Sequence, residues 1–177
     1  ISTDCVFSGQ KGGYQEADFA DARDLYGMSK YLGEVHAPHA ITLRTSIIGH
    51  ALHGADGLID WFLAQQQQCV GFAQAIFSGL PTVVLARLMR DVILPDANLH
   101  GLYHVAADPI SKYDLLQLVR RVYGKEIEIA PDDRLVIDRS LNAEHFRAAT
   151  GYTSPSWPEL VEIMYLDYLQ SKNQDHV

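Results

Sequence analysis

A tyrosine and a lysine four positions apart, Tyr26 and Lys30, lie in the segment DLYGMSK at residues 24–30. Reduction of a carbonyl requires a proton on oxygen as hydride reaches carbon. Free tyrosine is a poor acid at neutral pH because its pKa is about 10, and an ammonium one helical turn away lowers that pKa by stabilising the phenolate. This pair is therefore a candidate proton donor. Thr3, in the segment ISTD, is a candidate hydroxyl for holding the carbonyl oxygen.

The spacing alone is weak evidence, because Tyr168 and Lys172 repeat it near the chain end, where we expect a solvated helix face. A helical wheel separates the first pair from a stripe of apolar residues that we expect to face the core. The apolar residues are Leu25, Met28, Leu32 and Val35. Tyr26 and Lys30 lie nearly opposite that stripe and are not simple core residues.

Two glycines in the same segment, Gly27 and Gly33, each cost a helix about 1 kcal/mol relative to alanine. Glycine at such positions indicates that a ligand or another backbone approaches closely. We therefore expect a ligand or another backbone to approach this helix, over about Asp24–His36, closely.

Short apolar runs alternate with segments of helical period, which predicts α/β architecture. We expect strands at residues 1–7, 40–49, 70–77, 101–107 and 127–129 and helices at about 58–68, 82–94, 111–124, 142–151 and 156–170. Ser111 with Asp114, and Ser156 with Glu159, have the spacing of helix caps, and Gly124 is a C-terminal glycine. The sequence starts at Ile1 within a strand-like pattern, so we expect this chain to be the C-terminal part of a longer protein.

Composition excludes some classes of function. The formal charge is −8 over 177 residues and the longest basic run is Arg120-Arg121, which argues against binding nucleic acid through its phosphates. No apolar run approaches the 18 residues expected of a membrane helix. Two well-separated cysteines, Cys5 and Cys69, argue against a disulfide framework and favour a cytoplasmic protein.

Three motifs resemble the extended short-chain dehydrogenase/reductase family: STDCVFSG, then YGMSKYLGE, then LRTSIIG. The likeness is greatest to dTDP-4-dehydrorhamnose reductases and related nucleotide-sugar reductases. FSGLPT and GLYHVAADPISKYDLLQLV resemble the substrate-binding lobe of that group, so the resemblance spans nearly the whole chain.

The resemblance implies a fold and a division of the chain. The fold is the C-terminal part of a Rossmann-like doubly wound sheet with a smaller substrate-binding lobe. Residues 1–50 would be the remnant of the dinucleotide-binding sheet with the Tyr/Lys helix, and residues 51–177 the substrate lobe, interleaved with the sheet.

The resemblance also implies roles and ligands. Tyr26 takes the place of the acid/base, Thr3 of the Ser/Thr hydroxyl, and Lys30 of the residue that also bonds the nicotinamide ribose. Phe77 and Ser78 fall in the segment that faces the sugar nucleotide, with core packing and a turn hydroxyl as alternatives. The implied cofactor is NADP or NAD, the implied substrate a 4-keto nucleotide sugar of bacterial surface-polysaccharide synthesis, and a homodimer is compatible with the group.

The sequence departs from the family's pattern at three points that bear on the implied function. No glycine-rich dinucleotide turn follows a strand in this sequence, so the chain alone is expected to bind dinucleotide poorly. Ile47 stands where rhamnose-forming reductases often have an aromatic residue, and Cys5 where the family often has tyrosine. An epimerase or dehydratase of the same family remains an alternative, as does a non-catalytic regulatory subunit.

Other polar residues give weaker indications. Arg44, within an apolar strand, is a phosphate ligand or a structural residue paired with a carboxylate. His36 with His39, and His50 with His53, lack further ligands at metal-binding spacing, so we predict solvated loop histidines and no metal site. Cys69 has no neighbouring base and is predicted to be a buried thiol.

Overall fold

A computed structural model describes residues 1–51 and 57–174. Ten strands and six α-helices occur in these residues. The strands are β1 (Ser2–Thr3), β2 (Ile41–Thr45), β3 (Ile47–Ile48), β4 (Gln68–Phe72), β5 (Ala75–Phe77), β6 (Leu80–Pro81), β7 (Gly101–His104), β8 (Ile110–Ser111), β9 (Glu128–Asp132) and β10 (Ile137–Asp138). The helices are α1 (Leu25–Leu32), α2 (Leu58–Ala64), α3 (Thr82–Leu88), α4 (Lys112–Val122), α5 (Glu144–Thr150) and α6 (Trp157–Gln174).

The sheet that carries the candidate site is parallel, in the order β1-β2-β7. Its register pairs Thr3 with Thr45 and Arg44 with His104, so the carboxyl ends of the three strands lie along one edge. The predicted α/β class with a Rossmann-like parallel sheet is confirmed. Strand β7 comes from the second half of the chain and completes this sheet; the domain boundary at residue 50 stays a prediction.

The first strand is shorter than predicted, because it ends at Thr3 and a 3₁₀ turn follows over Asp4–Val6. The Thr3 side chain accepts a hydrogen bond from the backbone N–H of Cys5, and the N–H of Phe7 bonds the carbonyl of Asp4. The β-branched and aromatic residues of the segment favour a strand, but these local bonds satisfy the backbone in a turn instead.

Two other predicted strands are each divided in the structure. Residues 40–49 form β2, which joins the main sheet, and β3, which pairs with β6. Residues 70–77 contribute to β4, paired with β9, and to β5, paired with β8 and β10. Each division transfers the chain to a different partner, which a continuous run of apolar residues does not reveal.

The helices with recognisable caps match prediction best. Ser111 accepts from the N–H of Asp114 at 2.9 Å, and Gly124 adopts φ +63° just after α4, so both ends follow the expected signals. Glu159 accepts from the N–H of Ser156 at 2.8 Å at the start of α6. The predicted helix after residue 82 instead consists of α3 followed by a π-helical turn over Met89–Ile93.

The main hydrophobic core combines residues of the helices with residues of the main sheet and of the smaller sheets. Its fully buried large side chains are Ile59, Phe62, Leu80, Leu115, Leu116, Phe146 and Leu160. A smaller, separate cluster contains Val6, Phe7 and Tyr14, and the stacked rings of Phe7 and Tyr14 have their centroids 4.1 Å apart. Within residues 1–51 and 57–174, no helix combines the length and the apolar character needed to cross a membrane.

The prediction that the apolar stripe of α1 faces the core is wrong. Leu25 is 86% and Leu32 79% exposed, and only Gly27 of this helix is buried. Amphipathic spacing identifies which face of a helix is apolar, but burial needs an element to cover that face. In the part of the chain that the structure describes, α1 contacts β1 and the 3₁₀ turn instead.

Candidate active site

A cavity of about 300 Å³ opens at the carboxyl ends of β1 and β2. This edge of a parallel sheet is where ligands bind in open α/β folds. The cavity is lined by Ile1, Ser2, Thr3, Asp4, Cys5, Tyr26, Lys30, Thr45, Ser46 and Ile47. The structure therefore brings together Thr3, Tyr26 and Lys30, the three residues predicted to be catalytic.

Helix α1 is held against this edge by its first turn. Asp24 caps the helix, since its carboxylate accepts from the N–H of Gly27 at 2.8 Å. A Cβ at Gly27 would collide with the carbonyl of Cys5 and with Ala22, so the glycine permits backbone-to-backbone approach. The expected reason for Gly27 is thus found. Gly33 has no comparable contact and ends the helix as its C-cap.

Tyr26 and Lys30 differ in their surroundings. Tyr26 is 56% exposed, and its hydroxyl has no hydrogen-bond partner among the described residues. Lys30 is half-buried and donates from Nζ to the carbonyl oxygen of Ile1 at 3.0 Å. An ammonium has three donors, so two remain for a ligand or for the Tyr26 phenol.

Thr3 is buried at the end of β1 and its hydroxyl already has two partners. Oγ1 donates to Oδ1 of Asp4 at 3.2 Å and accepts from the N–H of Cys5 at 3.2 Å. The adjacent Ser2 also lines the cavity, but its hydroxyl donates to Glu34 at 2.7 Å. Of these two hydroxyl residues, Thr3 is the one bonded within the cavity wall.

Asp4 is an ionisable residue in the lining of the cavity, and no role was predicted for it from the sequence. Only 5% of it is exposed, and burial raises the pKa of its carboxyl although hydrogen bonds from Cys5 and Thr3 oppose the shift. Burial and the charge of Asp4 likewise raise the pKa of the Cys5 thiol. Arg139 holds this turn in place by donating to the carbonyl of Phe7 at 2.9 Å and to Sγ of Cys5 at 3.4 Å.

Phe77 and Ser78 are not among the residues that line this cavity. Phe77 is 3% exposed and packs near Trp157, and Nζ of Lys112 lies 3.6 Å from the centroid of the Phe77 ring. Ser78 is buried and its hydroxyl accepts from the N–H of Leu141 at 2.9 Å. Their geometry matches the alternatives of core packing and a turn hydroxyl; substrate binding by either stays a prediction.

Arg44 proves to be a structural residue paired with a carboxylate. Its guanidinium makes two bonds to Glu34, Nε to Oε1 at 2.7 Å and Nη2 to Oε2 at 2.8 Å, and both side chains are buried. A third contact, from Nη1, reaches Nε2 of His104 at 3.4 Å. The pair links Glu34, just after helix α1, to the central strand β2 of the main sheet.

The prediction that His50 is a solvated loop histidine is wrong. Its ring bonds Asp60 through Nδ1 at 3.0 Å and the hydroxyl of Tyr123 through Nε2 at 2.9 Å, and it stacks on Tyr168 at 3.9 Å. Its predicted partner His53 lies outside the described residues. His36 and His39 are exposed, as expected, and Cys69 is buried, as expected.

Comparison with known proteins identifies the group to which this architecture belongs. The family model described as the RmlD substrate binding domain matches residues 1–165. The curated methionine adenosyltransferase 2 subunit beta of Danio rerio is 30% identical in an alignment of 128 residues, which covers 65% of this chain and 40% of that protein.

Solved structures agree on the fold. The dTDP-4-dehydrorhamnose reductase of Bacillus anthracis in complex with NADP matches with a TM-score of 0.80 and 22% identity, over 94% of this chain and 64% of that one. A hypothetical dTDP-4-dehydrorhamnose reductase from Sulfolobus tokodaii matches with a TM-score of 0.73 and 25% identity, over 89% and 60%. The chain thus spans less than two thirds of the length of these relatives.

Proposed function

The chain belongs to the RmlD-like family of extended short-chain dehydrogenases/reductases, and from that premise we propose that the protein reduces the 4-keto group of a nucleotide sugar. The observation that carries the proposal is the single cavity lined by Thr3, Tyr26 and Lys30. A phenol, an ammonium and a hydroxyl around one space are the groups that carbonyl reduction requires.

In this proposal Tyr26 gives its phenolic proton to the carbonyl oxygen as the carbon is reduced. Tyr26 is exposed, and its hydroxyl has no hydrogen-bond partner among the described residues, so that it can bond a substrate. Lys30 lines the same cavity, and its ammonium is the group that would stabilise the phenolate as the proton leaves, because an opposite charge favours an anion. The Ile1 carbonyl fixes one N–H of Lys30 and so restricts where its other donors point.

A reduced nicotinamide, NADPH or NADH, would supply the hydride when bound. The residues present fit only its nicotinamide end, since Lys30 has two uncommitted donors for a ribose hydroxyl. No glycine-rich turn for the pyrophosphate occurs in these 177 residues. Tight cofactor binding therefore needs groups that this chain does not carry. A cytoplasmic location is part of the proposal, in keeping with two unpaired cysteines.

The test uses the full-length protein with NADPH and a panel of 4-keto nucleotide sugars, and follows loss of the reduced-nicotinamide absorbance. We expect Tyr26→Phe to lower kcat by roughly 10²–10⁴-fold, the usual contribution of a positioned acid. Tyr31→Phe is the matched control, because Tyr31 lies on the same helix outside the cavity. Equal rates for the two variants, or no turnover by the wild type, would count against a reductase. Product analysis separates reduction from epimerisation or dehydration, which consume no net NADPH.

A second candidate function is a non-catalytic binding subunit. The supporting observation is the 30% identity to a protein named as a subunit of methionine adenosyltransferase. In that case the partner would be a catalytic methionine adenosyltransferase chain. Co-elution with such a chain in size-exclusion chromatography, without NADPH turnover and without an effect of Tyr26→Phe, would favour this function over the first.

A further inference from the structure

The hydroxyl of Thr3 has a single proton, and the two neighbours of Oγ1 restrict where that proton can point. Oγ1 accepts from the N–H of Cys5 and lies 3.2 Å from Oδ1 of Asp4. A carboxylate can only accept hydrogen bonds, so with Asp4 ionised the Thr3 proton must point at Asp4. Thr3 then offers the cavity a lone pair and no proton.

This arrangement conflicts with the role expected of Thr3. A hydroxyl that holds a carbonyl oxygen has to donate to it, because a carbonyl oxygen is an acceptor. Neutral Asp4 removes the conflict. A protonated carboxyl has a donor of its own, and by donating to Oγ1 it would free the Thr3 proton to turn into the cavity.

The surroundings of Asp4 favour the neutral form more than an exposed site would. Asp4 lines the cavity and is buried, and desolvation penalises the charge of its carboxyl. Two cations, Arg139 and Lys112, act in the opposite direction, and neither comes within 4.0 Å of the carboxylate among the described residues. A substrate that displaces water from the cavity would strengthen desolvation further.

The remaining ionisable groups around Asp4 belong to the same cavity. The Cys5 thiol follows it in the turn, and Tyr26 and Lys30 line the same cavity from α1. Lys30 is engaged with the Ile1 carbonyl, and Arg139 with the Phe7 carbonyl and Cys5. None of these groups forms the direct bond to the Thr3 hydroxyl that Asp4 forms.

We propose that Asp4 is a positioning residue that acts through Thr3: neutral Asp4 turns the Thr3 hydroxyl into a donor toward the substrate oxygen, and ionised Asp4 withdraws it. The inference rests on the proposed reductase function for its catalytic consequence. No proton is consumed at Asp4, because Tyr26 supplies the proton that the product keeps. Asp4 therefore sets the direction of a hydrogen bond and is not itself the acid.

The hydrogen bond is tested first without any activity, by following the carboxyl ¹³C resonance of Asp4 during a pH titration of this chain. Thr3→Val removes the donor that stabilises ionised Asp4, so its titration midpoint should rise by about one pH unit. Ser2→Ala is the control, since Ser2 bonds Glu34 and not Asp4, and should leave the midpoint unchanged. An unchanged midpoint in Thr3→Val would refute the coupling, whatever the protein catalyses.

The catalytic consequence is tested on the full-length protein with NADPH and its 4-keto substrate. Wild-type kcat should fall as pH rises through the Asp4 midpoint. Asp4→Asn, whose side-chain NH2 can donate to Oγ1 at every pH, should lose that dependence and retain turnover at the alkaline end. Thr3→Val should lower kcat by about tenfold or more at every pH. If Asp4→Asn is as impaired as Thr3→Val throughout, the proposal is wrong. Absence of turnover in the wild type overturns the reductase function instead, and leaves the titration result standing.

Discussion

Arg44 and Glu34 form a buried, two-pronged ion pair that joins the main sheet to the segment following helix α1. The two N–O distances are 2.7 and 2.8 Å, and the side chains are 3% and 0% exposed. Burial works to raise the pKa of Glu34, but hydrogen bonds from Arg44 and Ser2 and the Arg44 charge leave that pKa lowered. Glu34 is therefore ionised when the protein is folded at neutral pH.

We expect Glu34→Gln to reduce the free energy of unfolding by about 3–5 kcal/mol, because it leaves the Arg44 guanidinium buried without a counter-charge. Urea denaturation measures this loss, with Glu126→Gln as the control at an exposed glutamate outside any ion pair of the described residues. The double variant Glu34→Gln/Arg44→Met should be less destabilised than the sum of its parts. Strict additivity would show that the two side chains are not coupled.

His104 predicts how stability depends on pH. It is fully buried, with Nδ1 2.9 Å from the Tyr14 carbonyl and Nε2 facing Arg44, which is consistent with a neutral ring protonated at Nδ1. Burial lowers the pKa of His104 in the folded state. As pH falls, His104 therefore takes up a proton in the unfolded chain before it does so in the folded chain. The contribution of neutral His104 to stability is complete above about pH 6.5 and is lost as pH falls below that value.

Denaturation series between pH 8 and pH 5 should show this loss in the wild type and a smaller loss in His104→Gln. His36→Gln, at an exposed histidine, should behave as the wild type does. If His104→Gln does not fold, ¹⁵N resonances of the wild-type imidazole report the same quantity. Titration of His104 at or above the ordinary histidine range would contradict the prediction.

The two glycines of α1 should respond in opposite ways to alanine. Gly33→Ala should be neutral or stabilising, since its nearest obstacle is the Ser29 carbonyl at 3.4 Å. Gly27→Ala would force a Cβ into the Cys5 carbonyl and should cost about 1–3 kcal/mol. Thermal unfolding of both variants checks the contrast, and equal midpoints would mean that α1 does not lie against the turn as described.

The His50 cluster predicts a matched pair of tyrosine variants. Burial raises the pKa of Tyr123, so its hydroxyl stays protonated and bonds Nε2 of His50 at 2.9 Å. Tyr123→Phe should cost about 1 kcal/mol of unfolding free energy, the usual worth of such a bond. Tyr165→Phe is the control, because its hydroxyl has no hydrogen-bond partner among the described residues. Equal losses would assign the effect of Tyr123→Phe to ring packing.

Features that depend on a few neighbouring residues could be predicted without a structure. Ser111 and Asp114 are three positions apart, so their capping bonds form inside one turn of α4, and Gly124 ends that helix through its own backbone freedom. Tyr26 and Lys30 are likewise held one turn apart by α1 itself. A pair of catalytic groups that lies on one helix could therefore be predicted from the spacing of its residues in the sequence.

Features that depend on contact with another element of the fold could not be predicted from spacing. The spacing of Leu25 and Leu32 marks an apolar face, but nothing in that spacing states whether another element covers it, and here both are exposed. Glu34 pairs with Arg44 and His50 bonds Tyr123, and each of these contacts depends on a partner from another element. Periodicity is a property of one segment, whereas burial, ion pairing and hydroxyl direction are properties of a contact, and only the folded chain brings both sides of a contact together.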